Sequence, residues 1–190
     1  ERLETFERSS GGPLRGDLRH KSHLLFPWLD EIVHNARIVD AIEDLYGPDL
    51  LCWTTNFFIK EAHNPAFVSW HQDSTYWGLD RPDVVTAWVA LTASNKSNGA
   101  MGFVPGTHTL DQIPHRDTFA KNNLLTRGQE VAVDVDAANA VTIELEPGGT
   151  LIVTSLKEPE DLIPLAHRKE VPYRLAVLKG LFIGVVEGQI

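Results

Sequence analysis

This 190-residue sequence has one cysteine, Cys52, and fewer basic than acidic residues. A single cysteine excludes an internal disulfide and any zinc site built from several thiolates, and it suits a reducing cytoplasm. With 17 Lys and Arg against 26 Asp and Glu, the net charge of −9 argues against nucleic acid as a general partner. An acidic chain can still hold an anionic small molecule in a locally basic pocket.

Long apolar runs are also missing. No stretch of about 18 apolar residues occurs, so we expect no membrane span. The charged start, Glu1–Glu4, has no signal-peptide core. Because an initiator methionine is absent, we expect the sequence to begin inside a longer chain and to lack part of the N-terminal region. Its length suits one domain over residues 1–190, and nothing in it indicates an oligomeric state.

The spacing of apolar residues changes near residue 47. From Pro27 to Tyr46 they recur every three or four positions, which predicts an amphipathic helix. Beyond it, β-favouring segments alternate with Pro, Gly and Asn turn signals. They predict strands over residues 50–60, 67–72, 84–91, 101–104, 131–135, 141–146, 150–154 and 174–178. Many short strands behind one helix favour a mainly β fold, a sandwich or jelly roll, over alternating β-α units.

The segment 67–73 carries two candidate metal ligands, His71 and Asp73. On a strand, successive side chains point to opposite faces, so these two would share one face and Gln72 would take the other. An imidazole and a carboxylate side by side can occupy adjacent positions on one divalent metal ion. A second His from another strand would complete a facial triad suited to Fe(II).

The pattern His-x-Asp is weak by itself, because two residue types at one spacing recur often. A second copy, His115-Arg116-Asp117, occurs in this sequence. It follows Ile113-Pro114 and precedes polar residues. We therefore predict a solvated loop there and no metal binding by His115.

Four features follow one another closely in the middle of the sequence. They are His71-x-Asp73, a strand containing Trp88, the turn Asn98-Gly99 and the turn Pro105-Gly106-Thr107-His108. In this order they strongly resemble the phytanoyl-CoA dioxygenase family of Fe(II)/2-oxoglutarate oxygenases, and a weaker likeness extends over most of the chain. The resemblance implies a double-stranded β-helix, a jelly-roll or cupin-like fold, with a flanking N-terminal helix.

The same resemblance implies the chemistry. Fe(II) is the cofactor, 2-oxoglutarate the co-substrate and O₂ the oxidant, and a small or lipid-like metabolite is hydroxylated as succinate and CO₂ form. His71 and Asp73 correspond to two catalytic iron ligands. A distal His supplies the third, and a distal Arg pairs with the far carboxylate of 2-oxoglutarate through its planar fork.

The C-terminal tail, residues 149–190, departs from the family pattern. The only histidine in it is His167, with Arg174 following. Three interpretations stay open. His167 is a displaced third ligand with Arg174 as the carboxylate clamp, or the tail is altered and abolishes iron binding, or ligand-bearing residues lie outside this sequence. Without the resemblance, His167 would be an ordinary exposed histidine.

Three further residues are candidates for co-substrate binding. Lys60 and Asn56 precede the motif and could reach 2-oxoglutarate, although solvent-facing positions suit them equally well. Trp88 could line the pocket or belong to the core. The leading hypothesis is an oxygenase acting on a small-molecule substrate, and the alternative is a catalytically silent double-stranded β-helix domain that serves as a binding or scaffold module. A second His at the metal separates the two.

Overall fold

The computed structural model describes residues 1–76, 84–107, 110, 112–154 and 178–179. The chain divides into two compact units, Glu1–Ile59 and Lys60–Ile190. The first unit is mainly helical and the second contains the strands. Within the described ranges, no helix combines the length and the apolar character needed to cross a lipid bilayer.

The first unit contains three α-helices, α1 (Arg2–Ser10), α2 (Pro27–Val33) and α3 (Ala36–Tyr46). The prediction of a single helix over residues 27–46 is wrong, because the helical conformation is interrupted at Asn35. Asn35 is extended, and its side chain accepts a hydrogen bond of 3.0 Å from the backbone N–H of Arg37. This is the geometry of an N-cap, which starts α3 as a separate helix.

The strand predicted over residues 50–60 is wrong. The described chain has only an isolated bridge there, between Asn56 and His20. Two backbone hydrogen bonds flank it, from Lys21 to Thr55 and from Phe57 to Arg19. Lys21 adopts a left-handed conformation with φ 52°, which turns the partner segment away and ends the pairing after one bridge.

Seven short strands are described in the second unit. They are β1 (Val85–Val89), β2 (Gly102–Phe103), β3 (His115–Asp117), β4 (Gln129–Val131), β5 (Val141–Thr142), β6 (Thr150–Thr154) and β7 (Leu178–Lys179). These strands form sheets in the orders β1-β6-β7, β2-β5 and β3-β4, and all pairs are antiparallel except β6 with β7. The second unit is therefore rich in β structure, and strand predictions over 84–91 and 150–154 are confirmed.

Two predictions about the His-x-Asp copies are wrong at the level of secondary structure. The predicted strand 67–72 has only an isolated bridge between Phe67 and Asn123. His115, predicted in a solvated loop, begins strand β3 and pairs with Val131 of β4. The two outcomes depend on how far each segment is paired: residues 67–72 meet a partner at one residue pair, whereas residues 115–117 pair with residues 129–131 over three.

The face of β1 that carries Thr86 and Trp88 points to the core. In the antiparallel pair β1-β6, Thr86 lies opposite Val153 and Trp88 opposite Leu151, so these side chains share one face. Leu151 and Val153 are buried with Phe103 in a hydrophobic cluster, against which Trp88 also packs. Register therefore places Thr86 on an inward face.

Candidate metal centre

His71 and Asp73 lie side by side in the second unit. Asp73 begins a 3-10 helix, Asp73–Tyr76, so a turn rather than the predicted strand brings the pair together. His71 Nε2 is 3.2 Å from Asp73 Oδ1, and the two side chains are 12% and 26% exposed. The pair is thus mostly buried, and each side chain keeps a part of its surface exposed to solvent.

The hydrogen-bond partner of His71 Nδ1 determines whether Nε2 carries a lone pair in the neutral ring. Nδ1 is 2.8 Å from the carbonyl oxygen of Ser69, which only accepts, so Nδ1 carries the proton and donates it. In the neutral ring, Nε2 then presents a lone pair to Asp73 Oδ1. Two acceptors this close are held together by a positive charge between them, which is either a proton on Nε2, as in an imidazolium–carboxylate pair, or a bound metal ion. Two ligands with bonds of about 2.1 Å at a right angle on one ion lie about 3 Å apart, so the spacing fits a shared divalent metal.

Thr86 holds the other oxygen of Asp73. Its hydroxyl donates to Oδ2 at 2.7 Å. Burial by itself raises the pKa of Asp73. The hydrogen bond and charge of the His71 ring in its protonated form, together with the Thr86 hydroxyl, outweigh burial, and the pKa lies below its usual value. Asp73 is therefore ionised. Thr86 was not predicted from the sequence, where its only signal is a hydroxyl among the otherwise apolar residues of this strand.

His115, from the second His-x-Asp copy, contacts the backbone between His71 and Asp73. His115 Nδ1 is 2.7 Å from the carbonyl oxygen of Ile113, and Nε2 accepts the backbone N–H of Gln72 at 2.9 Å. Since both ring nitrogens are engaged, His115 is not positioned as a ligand. The Gln72 side chain is also buried, and its Oε1 accepts from the backbone N–H of Ile113 at 2.7 Å. The residue between His71 and Asp73 is thus anchored next to the start of β3.

We expect His115→Ala to lower the free energy of unfolding by about 1–3 kcal/mol, since the Gln72 N–H loses its acceptor. Burial lowers the pKa of His115; the Ile113 carbonyl opposes this shift and His71 adds to it. As the pH falls below about 6.5, the unfolded chain therefore takes up a proton before the folded one does. The His115 contribution is complete above that pH and is lost on acidification.

Urea unfolding of the native protein and His115→Ala between pH 5 and 8 checks both effects. The difference in stability should shrink toward the acidic end, while the exposed His34→Ala control stays close to the native protein throughout. An unchanged stability of His115→Ala at pH 8 contradicts the expectation.

Tyr76 covers one side of His71. Its ring meets the imidazole edge-on, with 5.8 Å between centroids. The buried Gln129 amide, oriented to satisfy both its ends, donates to the Tyr76 hydroxyl at 3.0 Å and accepts from Arg127 Nε at 2.8 Å. Burial raises the pKa of Tyr76, and the Asp73 carboxylate raises it further, so the phenol stays neutral.

The other candidates occupy different settings. Lys60 Nζ is buried and has no hydrogen-bond partner among the described residues. Asn56 belongs to the first unit, where its Oδ1 lies 2.7 Å from His20 Nδ1. Trp88 packs against the hydrophobic cluster on the face it shares with Thr86. In the part of the chain that the structure describes, no third His, Cys, Asp or Glu joins a metal-binding group. His167 and Arg174 lie outside the described residues.

Comparison with known proteins decides the family. The family model described as phytanoyl-CoA dioxygenase (PhyH) matches residues 1–156. This chain belongs to the phytanoyl-CoA dioxygenase family. The resemblance seen in the motifs is confirmed, and the match covers both the helical first unit and the turn that carries His71 and Asp73.

Relatives of this family member are oxygenases. It is 30% identical over 95 residues to a probable alpha-ketoglutarate-dependent hypophosphite dioxygenase of Stutzerimonas stutzeri, covering 50% of this chain and 33% of that protein. It is 28% identical over 133 residues to a probable phytanoyl-CoA dioxygenase of Caenorhabditis elegans, covering 66% and 42%. The chain thus spans less than half the length of either relative.

A solved structure supports the same relationship. The apo form of the non-haem monooxygenase ThoJ matches with a TM-score of 0.66 and 38% identity, covering 82% of this chain and 57% of ThoJ. A nickel complex of ThoJ matches with a TM-score of 0.56 and 34% identity, covering 78% and 54%. The likeness to ThoJ therefore extends over most of the family member described here.

Proposed function

We propose that this protein is an Fe(II)/2-oxoglutarate-dependent oxygenase that hydroxylates a small or lipid-like metabolite and forms succinate and CO₂. The observation that carries the proposal is the 3.2 Å approach of His71 Nε2 to Asp73 Oδ1, with the ring proton on Nδ1. Relatives named ectoine dioxygenase and L-proline trans-4-hydroxylase support a small-molecule substrate.

In this proposal three side chains hold the iron. His71 Nε2 and Asp73 Oδ1 are two ligands, and His167 is the third. Bound Fe(II) supplies the activation of O₂ that couples oxidative decarboxylation of 2-oxoglutarate to hydroxylation of a C–H bond. Ser69 and Thr86 orient the two ligands, and Tyr76 shields His71 from water. The small sheets of the second unit belong, on this proposal, to a double-stranded β-helix.

Two cations bind the carboxylates of 2-oxoglutarate in the proposed site, Lys60 and Arg174. The buried Lys60 ammonium supports this assignment, because a buried charge without a partner is unfavourable until an anion joins it. Arg174 grips the far carboxylate through its bidentate fork. Trp88 lines the pocket from β1. Asn56 has no part in the proposed set, since its amide is engaged with His20.

A silent double-stranded β-helix domain, acting as a binding or scaffold module, is the second candidate. It is favoured by the tail 149–190, which contains His167 but not the family's usual sequence around the distal His. The two candidates differ in whether His167 completes the metal site.

Succinate formation tests the choice between them. With Fe(II), ascorbate, O₂ and 2-oxoglutarate, we expect the native chain to release succinate slowly even without its own substrate. His167→Ala should reduce the rate by more than about 100-fold, because changes beyond the ligands alone already cost about 10- to 100-fold. The exposed His34→Ala control should keep the native rate.

Two outcomes contradict this expectation. Equal rates in the native chain and His167→Ala remove His167 from the ligand set. No succinate from either protein, with both folded by circular dichroism, supports the silent domain instead.

A further inference from the structure

Thr86 lies on a strand face that packing alone would fill with apolar side chains. Its neighbours on that face are Trp88 on β1 and, across the pair, Val153 and Leu151. Val153 and Leu151 are 4% and 3% exposed. A valine has nearly the shape of threonine and no hydroxyl to satisfy, so the apolar packing does not account for the hydroxyl.

Among the described residues, the Thr86 hydroxyl donates to the carboxylate of Asp73. Thr86 Oγ1 donates to Asp73 Oδ2 at 2.7 Å, a charge-assisted hydrogen bond. Asp73 Oδ1 faces His71 instead. The two carboxylate oxygens of Asp73 therefore have different partners: Oδ2 accepts a hydrogen bond from Thr86, and Oδ1 lies next to His71.

The hydrogen bond also links two elements of different stiffness. Thr86 belongs to β1, which pairs with β6 over five residue pairs from Val85↔Thr154 to Val89↔Thr150. Asp73 belongs to a single 3-10 turn of four residues. A turn this short has few backbone hydrogen bonds of its own. The hydrogen bond to Thr86 on the longer-paired strand β1 therefore fixes the position of the Asp73 carboxylate.

We propose that Thr86 is a positioning residue that makes Asp73 a monodentate ligand through Oδ1. The inference rests on the proposed function, since it requires a metal ion at His71 and Asp73. Its consequence concerns the open positions of the ion. A facial triad leaves three for co-substrate and O₂, and a bidentate carboxylate would take one of them. By holding Oδ2 aside, Thr86 keeps that position open.

Mn(II) binding tests the proposal without relying on turnover. Thr86→Val removes the hydroxyl and keeps the shape of the side chain. We expect the affinity for Mn(II) to fall about 10- to 100-fold. Electron paramagnetic resonance of the free ion measures it. Thr86→Ser keeps the hydroxyl and should restore most of the affinity. Thr118→Val is the matched control, because it removes a hydroxyl hydrogen bond of the same 2.7 Å length that goes to the Gly128 carbonyl oxygen instead of to Asp73.

Crystals soaked in Mn(II) provide the second measurement. Native protein should show Asp73 bound through Oδ1 alone, whereas Thr86→Val should show both oxygens at the ion. Native affinity together with monodentate binding in Thr86→Val overturns the role of Thr86 and leaves the metal site intact. If Thr86→Val does not fold, Thr86→Ala carries the same comparison. If the native protein binds no Mn(II), the proposed function fails, and the inference fails with it.

Discussion

His71→Ala should abolish the binding of Mn(II) or Fe(II) by this protein and, with it, the formation of succinate. The substitution removes Nε2, the atom that faces Asp73 Oδ1 at 3.2 Å, and leaves one carboxylate with no neutral nitrogen beside it. First-row divalent ions depend on such prepared nitrogen ligands for affinity. We expect the affinity to fall by more than about 100-fold, because changes to residues that only hydrogen-bond a metal ligand already cost about 10- to 100-fold. Calorimetric titration with Mn(II) measures it.

His115→Ala is the control for this result. Both ring nitrogens of His115 are engaged by Ile113 and Gln72, so the variant should still bind one ion per chain. In Mn(II)-soaked crystals, the anomalous peak should lie about 2.0–2.2 Å from His71 Nε2 and Asp73 Oδ1. An ion found at His115, or native affinity in His71→Ala, would contradict the assignment.

Lys60→Met should change stability and co-substrate affinity in opposite senses. Methionine keeps the length and flexibility of the side chain but carries no charge, so the apo protein should be as stable as the native one or more stable. The loss of a charged hydrogen bond of about 1.5–3 kcal/mol should weaken 2-oxoglutarate binding about 10- to 150-fold. Urea unfolding and calorimetry with Mn(II)-loaded protein measure the two effects.

The exposed Lys96→Met removes the same charge from the surface and should alter neither quantity much. The comparison distinguishes a specific carboxylate contact from a general change in net charge. A destabilised Lys60→Met with native affinity for 2-oxoglutarate would show that the ammonium has a structural role instead.

Local sequence patterns predicted part of the fold. Strands β1 and β6 were predicted because their own residues favour extended structure and pair with each other over their full length. The segments 50–60 and 67–72 have similar composition but make only single bridges, with His20 and Asn123. Strand propensity describes a residue's suitability for a sheet, whereas a strand also requires a partner, and the partner is a tertiary property.

The sequence by itself determined the family and the closeness of His71 to Asp73, because only one residue separates them along the chain. It could not determine what surrounds the pair. Thr86 reaches Asp73 from 13 positions away, and His115 reaches Gln72 from 43. Only folding decided that a threonine on an apolar strand face would meet a carboxylate, or that the second His-x-Asp copy would support the first. These contacts depend on sheet register and chain closure, which no short motif encodes.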